Sequence, residues 1–154
     1  RIADEKAKVE ILPQGDDFKP LDEGKAKAIK DENPNVLEIF EAYNGGDLVG
    51  YTIKNIAKGY GGDIEIMTGI SVEGKITGIK ILNHSETPGL GENATKTYFS
   101  DSFKDKSVDQ ELVSAKKPEG DNEVQALTSA TMTTNAVLDG VNAAREIYNS
   151  KLAD

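Results

Sequence analysis

Residues 36–56 read VLEIFEAYNGGDLVGYTIKNI, and the centre of that stretch decides the fold. Asn44-Gly45-Gly46-Asp47 is a hairpin signal, because Asn and Gly accept the positive φ that tight two-residue turns need. The flanking residues are rich in β-branched and aromatic types, which suit a pleated, half-buried surface. Val36–Tyr43 is therefore read as a strand with Val36, Glu38, Phe40 and Ala42 on one face, and Leu48–Ile56 as the returning strand. Downstream, Asp63–Ile70 and Lys75–Asn83 form a second pair around Ser71-Val72-Glu73-Gly74. In the last of these, Ile76, Gly78, Lys80 and Leu82 share one face, and Thr77, Ile79 and Ile81 the other. Strands joined by turns this short imply an antiparallel meander.

The ends of the chain read differently. Residues 3–12 (ADEKAKVEIL) combine good helix formers with a stop at Pro13, which predicts a short helix. Residues 13–35, rich in Pro, Gly, Asp and Lys, are read as an irregular surface segment, so that 1–35 precedes a main domain over 36–154. Residues 92–103 are expected to form a short helix; 104–123 are polar, with an edge strand at Glu111–Ala115. From Asn135 to Tyr148, apolar residues recur at Val137, Val141, Ala144 and Tyr148, with Ala136, Gly140 and Ile147 beside them. That is one stripe at the helical period, and its small members let the helix lie close to a sheet. The predicted class is α+β: a twisted, half-barrel-like antiparallel sheet flanked by helices and closed by a C-terminal helix.

Composition narrows the chemistry. The chain has 154 residues, the size of one domain, and carries a net charge of −9. An acidic surface of that kind argues against nucleic acid and against docking on anionic lipid, both of which call for clustered Lys and Arg. There is no cysteine, so disulfides, thiolate zinc sites and cysteine-ligated iron–sulfur clusters are excluded. No run approaches the ~20 apolar residues of a spanning helix.

Polar and glycine-rich clusters stand out. Thr128, Ser129, Thr131, Thr133 and Thr134 precede the C-terminal helix. They read either as an over-supplied N-cap or as a phosphate site, where free N–H groups and the helix dipole favour an anion or a hydroxyl becomes its ester. His84-Ser85-Glu86-Thr87-Pro88-Gly89-Leu90-Gly91 is a shaped loop, and His84 is the only histidine. One His and one Glu two residues apart make no zinc site, which needs three or four ligands. Gly89-Leu90-Gly91-Glu92-Asn93-Ala94 formally matches a dinucleotide fingerprint, but Pro88 and the antiparallel surroundings deny it the strand–turn–helix context it needs. Gly59-Tyr60-Gly61-Gly62 reads as a turn, or as a place where Tyr60 stacks on an aromatic ligand. No nucleophile–base pair and no paired carboxylates are legible, so no catalytic residue and no metal ligand is assigned.

Taken in this order, the clusters resemble the FMN-binding domain family found in the G subunit of the Rnf electron-transport complex and in the C subunit of the sodium-pumping NADH:quinone oxidoreductase. The likeness runs from about Tyr43 to Tyr148 through Gly59-Tyr60-Gly61-Gly62, Gly69-Ile70, Gly74-Lys75-Ile76, the His84–Gly91 loop and Thr128-Ser129-Ala130-Thr131-Met132-Thr133. It is closer to the Rnf protein. It implies covalent FMN, moved from FAD by a flavin transferase onto the last threonine of an Asp-x-x-(Ser/Thr)-Gly-Ala-Thr motif. The matching stretch is Gln125-Ala126-Leu127-Thr128-Ser129-Ala130-Thr131, so the acceptor maps to Thr131. Gln125 replaces the family's Asp and Ser129 its Gly.

The resemblance further implies an electron-relay subunit without a catalytic site of its own, inside a membrane complex that links reduced ferredoxin and NAD to ion pumping. The chain opens on Arg1-Ile2-Ala3 without an initiator methionine, and a membrane anchor is expected upstream of residue 1, with the domain on the outer, periplasmic or extracellular, face. The phosphate is expected at Thr131, among the N–H groups of residues 131–134, with Thr128, Ser129, Ala130, Met132 and Thr133 around it. His84 and the loop Glu86-Thr87-Pro88-Gly89-Leu90-Gly91 are expected to flank the isoalloxazine ring: Glu86 and Thr87 at its polar edge, Leu90 and Tyr60 in apolar contact. Two other readings stand beside this one: a flavoenzyme that binds FMN reversibly, and a non-redox surface domain with a degenerate attachment motif.

Overall fold

The computed structural model describes residues 2–58, 63–83, 101–125 and 131–153, with the backbone alone at 2–5, 58, 83 and 131–134. Its elements are α1 (Ile2–Ile11), β1 (Asp17–Pro20), α2 (Glu23–Glu32), β2 (Val36–Asn44), β3 (Asp47–Lys58), β4 (Asp63–Ser71), β5 (Ile76–Asn83), β6 (Val113–Ala115), β7 (Glu123–Gln125) and α3 (Thr131–Ile147). A π-helical turn, Tyr148–Leu152, follows α3. Among the described residues, five strands form one antiparallel sheet in the order β1-β2-β3-β4-β5. The meander read from the sequence is therefore present, with an added strand at its β2 edge. The β2–β3 hairpin turns at Gly45 and Gly46, with φ of +58° and +91°, between the pair Asn44 and Asp47. Positive φ at both central residues is what a type I′ turn requires.

Residues 13–35 are not the irregular segment their composition suggested. They hold β1 and α2. β1 pairs with β2, Phe18 opposite Ala42, and its Pro20 sits on the sheet edge where a missing N–H breaks no internal ladder. The side chain of Asp22 caps α2 by accepting from the Lys25 N–H at 3.1 Å, and Ile29 carries the helix into the core. Residues 92–100 of the expected helix at 92–103 lie outside the described residues. The expected edge strand at Glu111–Ala115 is β6, shortened to Val113–Ala115 and paired in parallel with β7.

Two irregularities in register correct the expected strand faces. Val36 pairs with Asn55 and Glu38 with Lys54, so Leu37 is an extra residue and Val36 turns to the opposite face from Glu38. Gly69 pairs with Gly78 and Ile70 with Ile76, so Thr77 is extra and Ile76 turns away from Gly78. A bulge reverses the side-chain alternation beyond it. Both changes send a large apolar residue to the face that α3 covers, where Val36, Ile39, Ile53, Ile64, Ile66, Ile70, Ile76 and Ile79 meet Val137, Val141, Ala144 and Ile147. The predicted helical stripe is buried throughout, and Tyr148 closes it edge-on against Tyr51 at 6.1 Å between ring centroids.

The other sheet face holds a smaller cluster under α1: Ala7, Ile11, Leu12, Ala42 and Met67. The ammonium of buried Lys8 stands 3.3 Å from the centroid of the Phe40 ring, a cation–π contact. The end of α1 is seated on glycine. A Cβ on Gly69 would stand 2.6 Å from Thr77 Oγ1 and 2.9 Å from the Ile11 carbonyl oxygen, and one on Gly78 3.2 Å from Ile11 Cα. Thr77 Oγ1 in turn donates to that carbonyl, which the end of the helix leaves free.

These contacts separate two glycines. Gly69→Ala presses on backbone and is expected to lower stability by roughly 1–3 kcal/mol. At Gly140, in α3, the nearest atom to a Cβ is Ile66 Cδ1 at 2.7 Å, the tip of a movable side chain. There the gain in helix propensity, about 1 kcal/mol, offsets the crowding, so Gly140→Ala is expected to be near neutral. Urea midpoints measure both; equal losses would contradict this account.

Candidate functional site

α3 starts at Thr131, where the hydroxyl cluster predicted a helix N-terminus. Its first turn contains no acidic side chain, so nothing anionic in the helix competes for the positive end of its dipole. The first backbone N–H groups of a helix have no partner within it, and they face whatever lies before Thr131.

Contacts farther along α3 fix where that end lies. The Asn55 side-chain amide donates to the Gly140 carbonyl at 2.9 Å, and Tyr51 meets Tyr148. The helix therefore runs antiparallel to β3. Going back nine residues from Gly140 carries it roughly 14 Å. The last three residues of β3 beyond Asn55 cover only roughly 10 Å. The start of α3 thus lies just past the end of the sheet where β3 finishes at Lys58 and β4 begins at Asp63. β5 finishes at that end too, since Asn83 pairs with Glu65. Four segment ends that border the predicted clusters, Lys58, Asp63, Asn83 and Thr131, are gathered at one end of the sheet.

Tyr60, His84, Glu86, Thr87, Pro88, Gly89, Leu90, Gly91, Thr128, Ser129 and Ala130 lie outside the described residues. Thr131, Met132 and Thr133 form the opening of α3. Gln125, at the end of β7, is tied down twice: its backbone N–H donates to Ser102 Oγ and its side-chain Nε2 to the Lys116 carbonyl, both at 3.0 Å. A carboxylate at this position has no hydrogen to donate to Lys116. Among the described residues no group of three or more His, Cys, Asp or Glu is arranged to hold a metal ion, and no helix is long and apolar enough to cross a membrane.

A polar clasp on α3 and the turn that follows it, not anticipated from the sequence, holds the segment that leads to β7. The Asn142 side chain accepts from the Leu112 N–H at 2.8 Å and donates to the Leu112 carbonyl at 3.0 Å, copying a strand partner. The Val108 carbonyl accepts from Arg145 Nη1 at 3.0 Å and Asn149 Nδ2 at 2.8 Å. Arg145 is buried, and its Nε also donates to Asn142 Oδ1 at 3.2 Å. The available signal was the run of Asn142, Arg145 and Asn149, polar residues at helical spacing flanking an apolar stripe. At the turn before β7, the Glu119 and Gly120 N–H groups donate to Glu123 Oε1 at 2.9 and 3.1 Å. The bond from Glu119, then that from Gly120, hold the Glu123 carboxyl below its ordinary range, with Lys106 adding a smaller pull.

Removing the clasp leaves the Leu112 backbone groups without partners. Asn142→Ala is expected to lose roughly 1–3 kcal/mol, read as a lower melting temperature. Asn142→Asp, which keeps the accepting oxygen, should lose less. The depressed Glu123 group contributes stability that is present above the unfolded glutamate value of about 4.3 and is lost as pH falls through the folded value below it. Glu123→Gln should therefore lower the melting temperature at neutral pH and converge with the native protein in acid. A gap independent of pH would refute that sign.

A family model described as an FMN-binding domain matches residues 59–146. The chain is 41% identical over 152 residues to the G subunit of the Na(+)-translocating ferredoxin:NAD(+) oxidoreductase complex of Acetobacterium woodii, covering 94% of this chain and 73% of that protein. It is 40% identical over 107 residues to the proton-translocating counterpart of Clostridium ljungdahlii, covering 70% of this chain and 57% of that one. It is 34% identical over 143 residues to the G subunit of the ion-translocating oxidoreductase complex of Methanosarcina acetivorans, covering 92% and 73%. Among solved structures, the C subunit of the Na(+)-translocating NADH-quinone reductase of Parabacteroides distasonis superposes with a TM-score of 0.71 over 97% of this chain and 82% of that one, at 19% identity, a likeness of fold. Shewanella oneidensis NqrC superposes at 0.60, with 25% identity, over 75% and 56%. With its antiparallel sheet, its flanking helices and a C-terminal helix that opens at a threonine, this chain belongs to the FMN-binding domain family.

Proposed function

We propose that the domain is an electron carrier that holds FMN through a phosphoester to Thr131, as part of an ion-translocating, Rnf-type ferredoxin:NAD oxidoreductase complex. The observation that carries this reading is the start of α3. A threonine stands where a long helix opens, without an acidic side chain in its first turn, at the sheet end that the glycine-rich and His84–Gly91 segments border. N–H groups without partners inside the helix, together with the helix dipole, suit a phosphate there.

In attachment, Thr131 Oγ forms the bond to phosphorus, the bond from that phosphorus to AMP in FAD breaks, and the hydroxyl proton passes to the transferase or to solvent. The mass gained is FMN less one water. Bound FMN supplies the electron chemistry, so the chain's own task is tethering, orientation and the exposure of one edge. Under this reading Glu86 and Thr87 hydrogen-bond the polar edge of the ring, Leu90 and Tyr60 pack on it, and Pro88, Gly89 and Gly91 shape the approach. An anchor upstream of residue 1 places the domain on the outer face of the membrane, beside the other subunits of the complex.

A second reading keeps the fold and FMN but not the ester, with reversible binding in its place. Gln125 favours it, because its side chain is committed to the Lys116 carbonyl and offers no carboxylate to a transferase. Intact mass after co-expression with a flavin transferase separates the two. The carrier reading expects one added FMN less water on the native chain and none on Thr131→Ala. An unmodified native chain that releases flavin on denaturation would establish the second reading in its place.

A further inference from the structure

On the flank of α3, away from its start, a groove of about 360 Å³ lies between the helix, the end of β3 and the α2–β2 connection. Its walls are small or apolar: Pro34, Val36, Ala57, Gly140, Ala143 and Ile147. Its polar members are all neutral or acidic, with Glu32, Asn33, Asn35, Asn55 and Asp139 present and no Lys or Arg. Glu32 is already paired, at 2.8 Å, with Lys151. Asp139 is exposed and has no ion-pair partner among the described residues. Asn55 is 1% exposed, and its Oδ1 accepts no hydrogen bond although its Nδ2 is used by Gly140.

We infer that this groove receives a basic side chain, lysine or arginine, from a partner protein of the carrier. The charge pattern supplies the argument. A long cationic side chain has an apolar stem and a charged tip, and the groove offers apolar walls beneath an unpaired carboxylate. Lys151 already shows that geometry at the rim, reaching Glu32 from the turn that follows α3. An anionic side chain would face Asp139 with no cation among the described lining residues to compensate it, and a purely apolar one would strip water from Asp139 and from the Asn35 and Asn55 amides without replacing it. Charge complementarity of this kind steers encounter and fixes register.

The placement matters for the function proposed above, on which this inference rests. Asp139 lies eight residues along α3 from Thr131, roughly 12 Å along the axis. A partner held at the groove is therefore registered against the same rigid helix that opens at the attachment point.

The test uses the labelled native chain and agmatine, a guanidinium on an alkyl stem, with butanol as the uncharged control. Saturable shifts of the Asn55 side-chain amide and the Gly140 backbone amide are expected with agmatine and not with butanol. Asp139→Asn should weaken the response about threefold, the scale of an exposed ion pair. Ala143→Phe, which fills the groove, should abolish it. No saturable shift in the native chain, an equal response to butanol, or an unchanged response in Asp139→Asn would each overturn the inference. In the assembled complex, Asp139→Lys should slow electron transfer through the domain while the flavin mass on the chain stays the same. Unchanged transfer there also overturns it. A native chain that carries no flavin would sink the carrier reading, and the agmatine titration would still decide the groove independently.

Discussion

At Gly140 helix α3 comes so near the sheet that a Cβ there would stand 2.7 Å from Ile66 Cδ1, and the Asn55 amide bridges to the Gly140 carbonyl at 2.9 Å. The Asn55 bridge fixes the axial position of the helix, and the small residue at 140 lets it lie close to the sheet. Packed interiors are nearly incompressible, so a helix keyed at one point and again at Tyr51–Tyr148 has little freedom to slide. The position of Thr131 follows from it. The residue that opens the helix is delivered past the end of the sheet because the middle of the helix is pinned to β3, and a carrier whose cofactor must sit at a fixed place needs that kind of rigidity.

Two of the four register shifts in the described sheet serve the same interface. Each adds one residue, Leu37 in β2 and Thr77 in β5, and each turns an apolar neighbour, Val36 or Ile76, toward α3. The sheet can then be apolar where the long helix covers it and mixed on the opposite face, where α1 is narrower. On that opposite face Lys54 lies between Glu38 and Glu65, with its ammonium 3.8 and 3.4 Å from their carboxylates. Glycine at position 69 lets the end of α1 rest almost on the backbone of β4.

A domain that carries electrons through a bound flavin has little need of acid–base machinery, and the polar side chains that flank β6 and β7 are committed to structure. Asn142, Arg145 and Asn149 hold the backbone at Val108 and Leu112, Glu123 closes a turn, and Gln125 secures the end of β7, six residues before Thr131. Through its pairing with β6, the strand that precedes Thr131 is thus fastened to the helix that follows it. Both ends of residues 126–130 are held by the same body.

Much of this was legible from local chemistry alone. The hairpin at Gly45-Gly46 follows from the need for positive φ, the meander from alternation and short turns, and α3 from an apolar stripe ending in hydroxyl residues. The motifs that mark the FMN-binding family are likewise contiguous runs of residues. What the sequence could not decide depends on partners remote along the chain. Phe18 becomes part of a strand because Ala42 is there to pair with it, and β6 joins β7 in parallel across a polar segment. Val36 and Ile76 change face because a neighbouring strand sets the register. Side-chain periodicity records which face a residue favours. Which strand lies opposite, where an extra residue is absorbed, and which chain ends meet at one end of the sheet are set by packing the whole chain into a single core.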